Sequence, residues 1–238
     1  MKQWVGRIGM CLLLIGGAAQ AADTVSLGAA LDLQHLPQKV VMIDPHLEVK
    51  ELSAGGVSER VDAWSDQAKK NLLEALSKHL AADHLFDTLA VPQLSDESHT
   101  ILDEHVALYD VVGYNAYFFG KSRFPAWQHK AKEFDYTLGE GLSFLAQQSG
   151  ADAALFVIGE DYISTEGRKA ARIAAALLGI VLPPSPTFLS MGLVDLKTGN
   201  ILWMNYVLAM DTKDMRKAED MNALVDQLFK RYPGKNGT

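Results

Sequence analysis

Residues Ala151 to Gly159 read Ala-Asp-Ala-Ala-Leu-Phe-Val-Ile-Gly, with Asp152 as the one charge in the run. A run of this kind, bounded by turn formers, is a strand with apolar side chains on both faces. Such a strand is stable only at the centre of a sheet that is covered above and below. The rest of the chain must supply that cover, and this selects a layered α/β architecture. The 238 residues, 48% hydrophobic and 21% charged, suffice for one sizeable core and exclude a mainly disordered or collagen-like chain. A net charge of −7 excludes a generally basic surface, so no nucleic-acid partner is expected.

The amino terminus reads as an export signal. Lys2 and Arg7 precede the apolar run Ile8 to Ile15, and Ala19 and Ala21 form an Ala-x-Ala cleavage site. The run is far shorter than the roughly 20 residues that span a bilayer. Met10 before Cys11, with the apolar residues mostly after it, does not suit a lipidation site. The expected division is a signal peptide at 1–21, a linker or arm at 22–38, a single α/β domain at 39–233 and a tail at 234–238. Cleavage removes the only cysteine together with Lys2 and Arg7, which leaves a charge of −9 and no thiol for disulfides, catalysis or metal ligation.

The remaining elements follow from period and punctuation. Lys39 to Ile43 is a short buried strand closed by Asp44-Pro45, and Leu47 to Leu52 alternates as a half-exposed strand before the Ser53-Ala54-Gly55-Gly56 turn. A helix follows, capped by Asp62 or Ser65, with Trp64, Ala68, Leu72, Leu76 and Leu80 on one face. Phe86 to Val91 reads as an edge strand, Ser98 to Phe119 as a helix, and Leu138 to Gln148 as a short helix closed by Gly150. Thr187 to Leu196 and Asn200 to Met210 flank a turn rich in Asp, Thr and Gly and form a hairpin. A last helix carries Ala218, Met221, Leu224, Val225, Leu228 and Phe229. The fold class is α/β (α+β), one mixed β-sheet with helices packed on it.

The strand Val40 to Ile43, the aliphatic helix, Gly150-Ala151-Asp152 before a strand, and the hairpin Val194-Asp195-Leu196-Lys197-Thr198-Gly199 ending at Trp203 together resemble two families. These are the amino-terminal domain of TolB and the periplasmic domain of the curli secretion protein CsgG, with their uncharacterised envelope lipoprotein relatives. The resemblance spans about residues 38–232. It implies a periplasmic domain that binds other proteins or assembles into rings, with no known catalysis. Where CsgG carries membrane-spanning hairpins, this chain has the Ala-rich segment 168–184, so a pore of that kind does not follow.

That segment is the most unusual in the chain: from Ala170 to Leu182 only Arg172 is charged. The plainer reading packs it as a helix on the protein's own sheet. The alternative makes it a membrane-surface or subunit contact through Arg168, Lys169, Arg172, Leu177 and Leu178. The aromatic side chains Tyr117, Phe118, Phe124 and Trp127 crowd a helix end and its loop and cannot all point inward. They are candidates for a partner contact. Glu160, Asp161 and Tyr162, at the expected end of the central strand, could line a polar pocket.

No catalytic, cofactor or metal residues are assigned. There is no nucleophile elbow, no phosphate loop and no His-Glu-x-x-His motif; His79 and His84 are five apart and His99 and His105 six apart. The expectation is an exported, non-catalytic binding or assembly protein of the bacterial cell envelope, located in the periplasm. Its expected partners are envelope proteins or a second copy of itself. A peripheral membrane module acting through 168–182 and a hydrolase with an unrecognised active site are the alternatives.

Overall fold

The computed structural model describes residues 26–120, 130 and 133–234, except for the side chains of 117–120. Strands are β1 Ser26–Leu27, β2 Lys39–Met42, β3 His46–Leu52, β4 Ser58–Arg60, β5 Asp87–Ala90, β6 Ala153–Ser164, β7 Pro186–Asp195 and β8 Ile201–Met210. Helices are α1 Asp62–Asp83, α2 Asp96–Gly120, α3 Ser143–Ser149, α4 Glu166–Leu177 and α5 Ala218–Phe229. All eight strands join one mixed sheet; six follow the order β1-β8-β7-β6-β2-β5, and β3 and β4 lie off this path.

β6 is the axis of this sheet. On one side it pairs antiparallel with β7 over nine residues. On the other side two parallel strands share its length, β2 against Ala153 to Leu155 and β3 against Ile158 to Ser164. The break between them falls at Asp44-Pro45, where proline has no N–H for the ladder. β4 adds to β3, and β5 to β2, as the outer strands.

The central strand alternates strictly between two cores. Ala153, Leu155 and Val157 point to the layer of α1 and α5, packing with Leu72, Leu76, Trp203, Leu224 and Phe229. Ala154, Phe156 and Ile158 point to the layer of α2 and α3, with Tyr109, Leu142, Leu145 and Met204. The mixed sheet with helices on it is the architecture expected from the sequence. Gly192 on β7 leaves the space that the Tyr109 ring fills: a Cβ there would stand 2.3 Å from the Tyr109 hydroxyl oxygen. Tyr109 stacks on Phe156 with centroids 5.0 Å apart.

Three local expectations change. β6 runs on to Ser164, five residues beyond the expected end at Gly159. Ser65 does not cap α1; its buried hydroxyl accepts the Val49 N–H at 3.0 Å and lies 3.2 Å from the Val61 carbonyl, which ties the helix to β3. Part of the 22–38 arm joins the sheet, since Ser26 and Leu27 pair with Met204 and Trp203 of β8. Among the described residues no helix is long and apolar enough to cross a membrane.

Candidate functional site

Glu160, Asp161 and Tyr162 lie inside β6 rather than at its end, so successive side chains point to opposite faces. They do not form one pocket. Asp161 is fully buried on the α1/α5 side, where it accepts the Thr187 hydroxyl at 2.7 Å and the Met215 N–H at 2.8 Å. It fastens the loop between β8 and α5 to the sheet. Burial pushes its carboxyl up to about 6, against the pull of these two hydrogen bonds; the nearby Asp214 charge adds to the rise and Arg216 opposes it.

Glu160 and Tyr162 stay together on the α2 side and meet side chains of β3. The parallel register sets Glu48 beside Glu160 and Lys50 beside Tyr162. Two neighbouring carboxylates repel. Lys50 resolves this by placing its ammonium 2.7 Å from both Glu48 and Glu160. Desolvation works against the Lys50 charge, but the hydrogen bonds to Glu160 and Glu48 outweigh it and raise the pKa. The Tyr162 hydroxyl donates to the second Glu160 oxygen at 3.2 Å, and the Lys50 ammonium lies 5.4 Å from the Tyr162 ring centre. Arg60 reaches Glu48 at 3.5 Å.

This cluster forms one wall of a cavity of about 610 Å³ between α2 and the sheet. Ile158, Pro186, Phe188 and Leu208 supply the sheet-side apolar surface, and Asp110, Val111 and Tyr114 of α2 face them. Asp110 makes no hydrogen bond or ion pair among the described residues. Burial raises its carboxyl pKa, and the charges of Glu160 and Glu48 raise it further, while His46 and Lys50 act the other way. Sequence reading missed Lys50, Asp110 and His46 as members of this site. The alternation of Glu48, Val49 and Lys50 puts Glu48 and Lys50 on one strand face, but only the register gives their neighbours, and Asp110 is brought there by the packing of α2.

The segment after β6 is the second feature. Thr165 caps α4, its hydroxyl accepting the Arg168 N–H at 3.1 Å. Arg168 is buried and points inward, with its guanidinium 3.4 Å from the Ser53 carbonyl and 3.2 Å from the Pro183 carbonyl. Arg172 lies one turn on and pairs with Asp211 at 2.6 Å. The opposite face carries Ala170, Ile173, Ala174 and Leu177, all exposed, and the apolar edge continues through Leu178, Ile180 and Val181.

Leu177, Leu178 and Val181 are 84%, 78% and 89% exposed. The helix therefore turns its arginines to the protein and its apolar side to solvent, the reverse of an ordinary surface helix. The apolar side of this stretch does not pack on the protein's own sheet. Nor do its cations face outward as a group: Arg168 is internal, and Lys169 pairs with Glu166 at 2.6 Å.

Of the aromatic candidates, Phe124 and Trp127 lie outside the described residues, as do the side chains of Tyr117 and Phe118. Among the described residues no group of three or more His, Cys, Asp or Glu is arranged to hold a metal ion.

No family description matches the sequence, and no curated protein aligns with it. Solved structures with a similar arrangement include the PelC dodecamer from Paraburkholderia phytofirmans, 11% identical, covering 90% of this chain and 96% of that one, with a TM-score of 0.40. Lipoprotein GNA1162 from Neisseria meningitidis is 13% identical, covers 82% of this chain and 97% of that one, and gives a TM-score of 0.36. The LpoB C-terminal domain from Salmonella enterica is 13% identical over 73% of this chain and 82% of that one, with a TM-score of 0.28. Overlaps of this size leave the function to be argued from the chain's own surface and cavity.

Proposed function

We propose that the protein is an exported, non-catalytic binding or assembly protein of the bacterial cell envelope, working in the periplasm, with the outer edge of α4 as its contact surface. The reversed helix carries this reading. A helix with its apolar edge toward water exposes surface that each large side chain would gain about 1.5–3 kcal/mol by burying. Arg168 and Arg172 fix that orientation from behind, so the edge is held out rather than left loose. A surface of this type is covered by another molecule when the protein works.

The cover is another protein, either a second copy or an envelope component. A membrane-surface helix presents cations beside its apolar edge. Here Arg168 and Arg172 face the body, Lys169 is paired, and the overall charge is negative. The resemblance of the sequence to the TolB amino-terminal domain and the CsgG periplasmic domain supports a body that binds proteins or builds rings.

The test places a photo-crosslinking residue at position 177 of the full chain and illuminates intact Gram-negative cells that export it. Crosslinks to a second copy or to one defined envelope protein, lost on Leu178→Asp, support the reading. Crosslinks to lipid alone transfer the function to the membrane surface. Absence of any adduct, with the purified chain monomeric at its highest soluble concentration, sinks it.

A further inference from the structure

We propose that the cavity between α2 and the sheet binds an organic cation, a primary amine or guanidinium carried on an apolar body. The inference is independent of the contact surface on α4. Its first support is shape and lining. About 610 Å³ is room for a small ligand, and Val111, Ile158, Phe188 and Leu208 offer walls that gain from covering apolar atoms.

Its second support is the balance of charge around that space. Three carboxylates, Glu48, Asp110 and Glu160, line the space together with the His46 ring, and the cations Lys50 and Arg60 contact Glu48 beside it. The Lys50 ammonium is engaged by contacts of 2.7 Å to Glu48 and Glu160, Arg60 is shared between Asp62 at 3.1 Å and Glu48 at 3.5 Å, and the His46 ring lies 3.9 Å from Glu48. With Asp62 counted, four carboxylates stand against these two full cations, so negative charge is in excess. Asp110, itself exposed to solvent, has no hydrogen-bond or ion-pair partner among the described residues.

An anion entering here meets carboxylates, and the lining ring that can carry a positive charge, His46, already faces Glu48. A neutral apolar molecule fills the walls but leaves Asp110 as it was. A cation on an apolar body satisfies both parts, because its charge reaches Asp110 while its body lies on Phe188 and Leu208. The Glu160 carboxylate is held by Tyr162 and Lys50, so the acidic wall is preorganised and does not fold away on entry. Partial burial, and after it the neighbouring Glu160 and Glu48 charges, displace the Asp110 carboxyl upward.

The amine could belong to a free small molecule or to a lysine or arginine side chain of a polypeptide. The experiment uses the full chain with labelled Val, Ile and Leu methyl groups followed by NMR. Three probes of one shape are titrated: 2-phenylethylamine, 3-phenylpropanoate and 2-phenylethanol. A short peptide with one lysine between leucines forms the fourth arm.

The proposal expects the amine or the peptide to shift the Val111, Ile158 and Leu208 signals, with the carboxylate binding at least about tenfold more weakly. Shifts with the peptide alone make the source a partner's side chain; shifts with 2-phenylethylamine alone make it a free amine. Asp110→Asn should weaken binding about tenfold, and Glu104→Gln, on the same helix but away from the cavity, should leave it unchanged. Equal binding of amine and carboxylate, insensitivity to Asp110→Asn, or no shift with either cationic probe would overturn the proposal.

Discussion

The Thr187 hydroxyl donates to the Asp161 carboxylate across 2.7 Å inside the protein, and the same carboxylate holds the Met215 N–H. This is a buried charge on neighbouring strands with no formal cation against it in hydrogen-bond contact. It retains the 211–217 loop, whose Asp211 in turn pairs with Arg172 of α4.

The burial of Asp161 has a signed pH dependence. Its carboxyl titrates near 6 in the folded state, against 3.8 as the reference, so between those values the folded chain binds the extra proton. Its contribution to stability is therefore highest below about pH 4, falls as pH rises through 6, and stays low above it; the loss is on the order of 3 kcal/mol. Asp161→Asn can still accept from Met215 and donate to Thr187, and it carries no charge. Urea unfolding at pH 4 and pH 7 should show the variant gaining relative to the parent at the higher pH. A constant difference between the two proteins would refute the assignment.

Gly192 and Tyr109 are predicted to be coupled. A Cβ at 192 would meet the Tyr109 ring and hydroxyl at 2.3–2.8 Å inside the α2 core. Gly192→Ala should cost about 1–3 kcal/mol of stability by overpacking. Paired with Tyr109→Leu, the combined loss should be smaller than the sum of the single losses, as thermal unfolding of all four proteins would reveal.

Arg168 should anchor α4 more than it attracts partners. Arg168→Ala removes the donors to the Ser53 and Pro183 carbonyls, at a cost of about 1–3 kcal/mol. Trypsin or chymotrypsin should then cut within 166–182 faster than in the parent. Leu177→Asp, on the outer edge, should leave stability within about 0.5 kcal/mol and protect nothing from proteolysis.

Lys50→Met should leave Glu48 and Glu160 side by side without their shared cation. The expected deficit is about 1 kcal/mol at neutral pH, modest because these side chains are partly solvated. Glu48 is held below the usual carboxylate range, chiefly by its hydrogen bond to Lys50, so the stability it contributes is present above about 4.5 and lost as pH falls. The deficit should shrink toward pH 3 and in concentrated salt. Equal deficits at pH 3 and pH 7 would show that Lys50 acts by packing alone.

The elements that could be read from the chain are those whose signal is local. The aliphatic face of α1, the apolar run of β6, the Pro45 break and the 195–200 turn each announce themselves within a few residues. The two-residue β1, the three-residue β4 and the last turns of β6 do not. Glu160 and Asp161 look like a strand end because charge usually ends burial, and here a second strand, β3, continues the sheet past them.

The sequence alone therefore determined the layers: an apolar central strand demands helices above and below it, and periodicity supplies them. Tertiary structure alone decided which polar groups meet. Strand register placed Lys50 between two glutamates, the extension of β6 past Gly159 put Asp161 on the opposite face from its neighbours in the chain, and the packing of α2 on the sheet brought Asp110 across from them. The outward face of α4 was likewise settled by Arg168 and Arg172 finding distant carbonyls and Asp211. Period is a property of neighbouring residues, whereas pairing, charge balance and helix orientation depend on groups that the chain brings together only when it folds.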